Sequence, residues 1–259
     1  MEIVVRPDAE AVAALAARLI ADRLGARPEL VLGLATGRAM ERVYDHLVAL
    51  GPDFSRCRTF NLDEYIGIPP ESEQSYRHYM EENLFRRVGI DPGRTHLLDG
   101  MAADLVAEAE AYERKIRDAG GIDLQLLGIG ESGHIGFNEP LSALMSRTRE
   151  KALTLTTRRQ NAAMFGGDPE RVPARALTMG VGTILDTREL LLVATGSAKA
   201  PILAKALEGP VTAMVTASAL QLHPRCKVII DEAAARELGQ RDYYDWVFAN
   251  EPEWAPYRG

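Results

Sequence analysis

The chain reads as an α/β protein built on one open, mostly parallel, Rossmann-like sheet with helices on both faces. Two observations predict this. Short apolar or β-branched runs alternate with helix-patterned stretches along the 259 residues, the signature of successive βαβ units. Several of those runs also end in a glycine-containing turn that leads into a helical stretch. In an open parallel sheet this is the edge where ligands bind. No repeat, low-complexity tract or linker interrupts the pattern, so residues 1–259 are expected to form a single domain.

Residues 2–5 are a short β-branched run, and 9–24 carry alanine-rich helical spacing. Residues 30–34 are a compact apolar strand, 40–50 a helix, 59–62 the end of a strand and 75–88 a helix. Residues 95–98 are strand-like, and 102–118 form a strong helix of mixed charge. Residues 122–127 read as a buried strand. Beyond them, 152–156 alternate like a strand, 189–195 and 226–230 are further buried strands, and 201–208 and 241–250 are helices. Residues 158–173, with GGDP at their centre, are the least regular part, and a lid over the sheet edge is expected within 156–175.

A net charge of −7 argues against a nucleic-acid partner, because phosphate contacts need a positive surface, yet it allows a small anion in a local positive pocket. Cys57 and Cys226 form no CxxC pair and suggest no disulfide framework, which makes a reducing cytoplasm the expected compartment. The first residues lack a signal-peptide pattern, and no apolar run is long enough to span a bilayer, so no membrane partner is expected.

The most informative stretch is GIGESGHIGFNEP, residues 128–140. It follows a buried strand and delivers His134 and Glu139 in a short glycine-rich loop. A titrating imidazole and a carboxylate so placed are the parts of an acid/base catalyst. Ser132 stands two residues before the histidine, preceded by Glu131.

Three other strand ends carry chemistry. LGLATGRAM, residues 32–40, runs a strand through a Thr36-Gly37 turn into a helix start, and free N–H groups at such a start favour an anion. FNLDEYIG, residues 60–67, sets Asp63 beside Glu64, so that one carboxylate can face a pocket while burial or its neighbour raises its pKa. ATGSAKA, residues 194–200, repeats the strand–turn–helix pattern with Lys199 in the first turn, where an anion would offset the lysine's conflict with the helix dipole.

Together these segments resemble the glucosamine-6-phosphate deaminase (isomerase) family, in the order FNLDEYIG, GHIGFNEP, SRTR at 146–149, ALTMGVGTIL at 176–185, GSAKA and LQLHP at 220–224. The resemblance runs from the first strand to about Ile230. It implies conversion of an amino-sugar phosphate, glucosamine 6-phosphate, and water into fructose 6-phosphate and ammonia, without an organic cofactor; no metal site is expected. It implies that Asp63 moves a proton between C2 and C1, that His134 assists ring opening, and that Glu139 orients the histidine. Thr36, Gly37 and Lys199 match phosphate-binding positions, and Glu64 is expected to bind substrate. Family members are commonly hexamers, so a homo-oligomer is expected. Some are activated by N-acetylglucosamine 6-phosphate at an interface whose positions are here Ser142, Arg149, Lys151 and Tyr243.

The chain departs from the family pattern at several points. Ser132 stands where an Asp or Asn is usual, Ala163 stands where a lid arginine clamps phosphate, and Ala152 replaces a hydroxyl beside the effector positions. The phosphate turn is shorter and carries Arg38, which is expected to replace the missing clamp; Arg158 or Arg159 is a second candidate. Two other readings stand beside the deaminase: a 6-phosphogluconolactonase-like hydrolase and a non-catalytic sugar-phosphate sensor. Glu139 and the DEY segment argue against the first, and the intact Asp63, His134 and Glu139 against the second.

Overall fold

The structure, a computed structural model, describes residues 1–258. Strand β1 (Glu2–Arg6) leads to helix α1 (Ala9–Ala26), whose first turn is capped by the Asp8 carboxylate accepting the Ala11 N–H. Strand β2 (Val31–Leu34) is buried throughout and passes through Gly37 into α2 (Arg38–Leu50). Then come β3 (Arg58–Asn61), a three-residue strand β4 (Asp63–Tyr65), and α3 (Tyr76–Met80). Helix α3 continues through a π turn, Glu81–Phe85, into α4 (Arg86–Val88), so the expected helix over 75–88 forms with one wider turn. Strand β5 (Thr95–His96) precedes α5 (Leu105–Asp118), which starts later than expected because Asp104 caps it by accepting the Val106 and Ala107 N–H groups.

Strand β6 (Leu124–Leu127) opens the catalytic loop, followed by β7 (Arg149–Ala152), α6 (Leu155–Asn161), β8 (Arg175–Thr178) and α7 (Val181–Leu185). Strand β9 (Glu189–Ala194), α8 (Ala200–Leu207), β10 (Cys226–Asp231), α9 (Glu232–Ala235) and α10 (Arg241–Asn250) complete the order.

Seven strands form one sheet in the order β1-β10-β9-β6-β2-β3-β5, and every pair in it is parallel. The expected fold class is therefore the observed one. Strands run outward from β2 to β5 on one side of β6 and from β9 to β10 on the other, which places the reversal of strand order at β2, β6 and β9. Loops leaving strands beside such a reversal diverge and leave a crevice at their carboxyl ends.

A second sheet, β4-β8-β7, is antiparallel and was not legible in the sequence. Its strands are too short to show alternation, and β7 is the charged stretch REKA. The strand expected at 152–156 is a correction: β7 ends at Ala152, and Thr154 caps α6 by accepting the Thr157 N–H. The apolar alternation there misleads because Leu155 is exposed rather than facing a core. Among the described residues, no helix is long and apolar enough to cross a membrane.

Candidate active site

A cavity of about 690 Å³ opens at the carboxyl ends of β2, β6 and β9, lined among others by Thr36, Arg38, Asp63, His134 and Lys199. The four strand-end motifs thus meet in one place. The turn after β2 reaches it because Gly37 adopts φ +113°, a conformation that L side chains rarely take, and because glycine offers no side-chain cap to α2. The helix therefore begins against the cavity with no side chain of the turn occupying its first N–H groups.

Asp63 lies at the start of β4, paired with Thr178 across the small sheet. Its carboxylate is nearly buried, and no hydrogen bond from the described residues satisfies it. Burial first, and the neighbouring Glu64 charge second, push its pKa up to about 8. At neutral pH the carboxyl is therefore mostly protonated, and its ionised form is a strong base.

Glu64 does not face the cavity. Adjacent residues of a strand point to opposite faces. The Glu64 carboxylate instead accepts the backbone N–H groups of Tyr65, Tyr76 and Arg77 at 2.8, 3.0 and 3.0 Å, fastening the start of α3. The expectation that Glu64 binds substrate is corrected accordingly: it is a helix anchor whose charge acts on Asp63 from behind.

His134 sits in the loop after β6 with 7% of its surface exposed. Its Nδ1 lies 2.9 Å from Ser132 Oγ and 3.5 Å from Glu139 Oε2. The serine hydroxyl accepts when Nδ1 carries the proton and donates when it does not. The imidazole packs over Gly130, where any Cβ would stand 2.1 Å from His134 Nε2, so the backbone must be bare there. Glu139 is almost fully buried. Burial alone would raise its carboxyl, but the His134 ring, the Thr157 hydroxyl and the Thr154 amide outweigh it and bring the pKa down to about 2. Glu139 is thus an ionised partner for an imidazolium.

Lys199 lies in a single 3-10 turn, Ser197–Lys199, that leads into α8. Its Nζ donates to the Ile129 carbonyl at 2.8 Å, and burial, offset by the Glu131 charge, lowers its pKa. Arg38 lines the cavity from the opposite turn. Arg158 is drawn away, with its Nε donating to the Val172 carbonyl and its Nη2 paired with Glu170, and neither it nor Arg159 lines the cavity. Both are corrected as phosphate clamps. Ala163 does line the cavity, within the segment expected as a lid.

The remaining positions are divided. Arg149 and Lys151 lie two apart on β7, and Arg149 Nη1 donates to Asn138 Oδ1 at 3.0 Å, next to Glu139. Ser142 is buried, and its hydroxyl has no partner among the described residues. Tyr243 stands apart from them, exposed on α10, which packs against the edge strand β1.

Sequence reasoning missed Tyr76, which lines the cavity. Its ring stacks on Phe137, and its hydroxyl donates to Tyr65 Oη at 3.3 Å. In the sequence it was one more aromatic residue of an amphipathic helix, and only the three-dimensional placement distinguishes it.

Comparison with known proteins gives the chain its family. A family model described as glucosamine-6-phosphate isomerases/6-phosphogluconolactonase matches residues 7–228. The chain is 49% identical over 251 residues to a glucosamine-6-phosphate deaminase of Hahella chejuensis, covering 95% of each protein. It is 49% identical over 258 residues to one of Arthrobacter sp. (strain FB24), covering 98% of this chain and 99% of the relative. Among solved structures it is similar to a monomeric glucosamine-6-phosphate deaminase, at 40% identity and a TM-score of 0.89, covering 92% of this chain and 100% of the other. A 6-phosphogluconolactonase from Thermotoga maritima, at 20% identity and a TM-score of 0.70 over 89% of this chain and 99% of the other, shares the fold. The chain belongs to the glucosamine-6-phosphate deaminase (isomerase) family.

Proposed function

We propose that this protein is a glucosamine-6-phosphate deaminase, converting glucosamine 6-phosphate and water to fructose 6-phosphate and ammonia. The observation that carries the reading is the meeting of Asp63 and His134 in one cavity, where burial makes the ionised Asp63 carboxylate strongly basic. His134, with Ser132 and Glu139 on its Nδ1 side, opens the pyranose by moving a proton to the ring oxygen. Asp63 then takes the C2 proton and returns it to C1. A nearly buried carboxylate with no hydrogen bond of its own suits this, because it holds one proton between the two carbons. Water adds to the resulting C2 imine and ammonia leaves. The N–H groups at the start of α2, with Thr36, Gly37, Arg38 and Lys199, bind the phosphate, and residues 156–175 cover the site. The test is ammonia and ketose release across a panel of sugar phosphates. Ammonia from glucosamine 6-phosphate supports the reading. Hydrolysis of 6-phosphogluconolactone without ammonia release would replace it with the lactonase reading, and binding without turnover with the sensor.

Regulation and assembly belong to the same reading. Arg149 and Lys151 on β7, with the buried hydroxyl of Ser142, suit an effector phosphate, and Tyr243 would reach them from another copy of the chain. The homo-oligomer is supported by Leu141, Met145 and Met214, large apolar side chains exposed to solvent, the first and last in segments joined by the Leu141 N–H donating to the Ala213 carbonyl. Sedimentation decides assembly: a monomer, as described for the 40% identical relative, removes the shared site. A hyperbolic saturation curve unmoved by N-acetylglucosamine 6-phosphate removes the activation. A reducing, cytoplasmic setting fits the two buried free cysteines.

A further inference from the structure

The covering segment begins with a seven-residue helix, α6, that is tied to the site at both ends. At its far end Gln160 Oε1 accepts the Glu131 N–H at 3.0 Å, and Asn161 Nδ2 donates to Tyr65 Oη at 3.0 Å. At its near end the tie is to the catalytic carboxylate itself. Thr154 gives its amide N–H to Glu139 Oε1 at 2.9 Å and its hydroxyl to the same oxygen at 3.2 Å. The Thr154 hydroxyl also accepts the Thr157 N–H at 3.2 Å, as the cap of α6. It thus stands 3.2 Å from both Glu139 Oε1 and Thr157 Oγ1 and lends a lone pair to the helix. Only a serine or threonine side chain does both at this reach.

The Glu139 carboxylate is divided by this arrangement. Oε1 is held by two donors of Thr154, while Oε2 has no hydrogen bond and points at His134 Nδ1, 3.5 Å away. Fixing one oxygen fixes the direction of the other, because a carboxylate is planar and turns about a single bond. We propose that Thr154 is a positioning residue for the reaction: it aims the free oxygen of Glu139 at the His134 ring and registers the covering helix on that acid/base pair. Thr154 is not among the residues lining the cavity, so it acts through Glu139 and not on substrate. The inference rests on the deaminase reading above.

The test uses Thr154→Val and Thr154→Ser in the full chain, with two readouts. The first is steady-state ammonia release from glucosamine 6-phosphate. Thr154→Val is expected to lower kcat about tenfold with KM within about twofold, since the aim of Glu139 matters after binding. Thr154→Ser is expected to recover most of that loss. The second readout is the titration of the Glu139 side-chain carboxyl by carbon-detected NMR without substrate. Its midpoint is expected to rise in Thr154→Val and return in Thr154→Ser. Thr154→Ala replaces the valine variant where that does not fold. An unchanged kcat and titration in Thr154→Val overturns the proposal, and so does a loss that Thr154→Ser does not recover, which would make the hydroxyl a fold element only. If the wild-type protein releases no ammonia, the deaminase reading fails by itself. The titration then judges the aiming of Glu139 alone, and an unmoved midpoint sinks it.

Discussion

Glu139 Oε2 lies 3.5 Å from His134 Nδ1 and has no hydrogen-bond partner among the described residues. The separation is long for a hydrogen bond, so the attraction is between charges more than along a shared proton. It strengthens when His134 becomes an imidazolium during ring opening. Glu139→Gln keeps the shape and removes the charge. Its kcat for the closed pyranose is expected to fall by about 10²-fold or more, the range for a lost acid/base function. Equal losses for closed and open-chain substrates would move the pair to a later step.

Ser132 makes the shorter contact with the same nitrogen, 2.9 Å, and carries no charge. Ser132→Ala is therefore expected to cost about the value of one neutral hydrogen bond, roughly five- to tenfold in kcat/KM. Ser132→Asp installs a carboxylate at this position and adds a second charge beside Glu139. A rise in kcat for Ser132→Asp would show that the serine limits ring opening. A loss as large as that of His134→Gln for Ser132→Ala would show that the serine sets the histidine tautomer.

Asp63 links activity to stability. Asp63→Asn is expected to abolish exchange of the C2 hydrogen with solvent and release of ammonia while leaving substrate binding. The same change affects the fold with a definite sign. The Asp63 carboxyl titrates at about 8 in the folded chain. An unfolded aspartate titrates near 3.9. A raised folded pKa means that the stability from the neutral form is fully present below the unfolded value and is lost as pH rises through about 8. Asparagine never charges. Above about pH 8 Asp63→Asn should therefore be more stable than the wild type by on the order of a few kcal/mol, with the gap closing below about pH 4. Equal unfolding midpoints at alkaline pH would show that solvent reaches the carboxylate.

Gly130 tests how tightly the loop is built. A Cβ at this position would stand 2.1 Å from His134 Nε2, the nitrogen that packs over the backbone there. Gly130→Ala must displace either the loop or the ring. The expected result is a loss of kcat comparable to His134→Gln, about 10²-fold, with an unfolding midpoint lowered by only a few degrees. Wild-type turnover in Gly130→Ala would mean that the ring can swing clear without consequence.

The sequence carried the large sheet because its strands are apolar runs with a glycine or a helix start at their ends, as at Leu34 and Leu127. It carried the convergence of Asp63, His134, Thr36 and Lys199 because in a parallel sheet all such ends lie on one edge. It did not carry the small sheet, whose strands are three or four residues long. That sheet, through its first residue, decides that Asp63 and not Glu64 faces the cavity, so the two adjacent carboxylates could not be told apart beforehand. Thr154 was hidden for a related reason. Its partner Glu139 lies fifteen residues earlier, and no local periodicity reports a hydrogen bond made across a loop.

Arg38 is the last of the open roles. The lid position that would offer a second cation is Ala163, and Arg158 is committed to Val172 and Glu170. Lys199 is already bound to the Ile129 carbonyl, and burial lowers its pKa, so it holds its charge less far into alkaline pH. Arg38 is exposed at the start of α2, on the cavity and beside its uncapped N–H groups. A guanidinium there reaches two phosphate oxygens at once, which an ammonium cannot. Arg38→Ala is expected to raise KM for the phosphorylated sugar by about ten- to a hundredfold at low salt with a smaller change in kcat, and to leave the weak turnover of an unphosphorylated amino sugar unchanged. Arg38→Lys should recover only part of the loss. Lys199→Ala supplies the control: if it raises KM while Arg38→Ala does not, the phosphate sits on the β9 side of the cavity and Arg38 is a solvated residue of the turn.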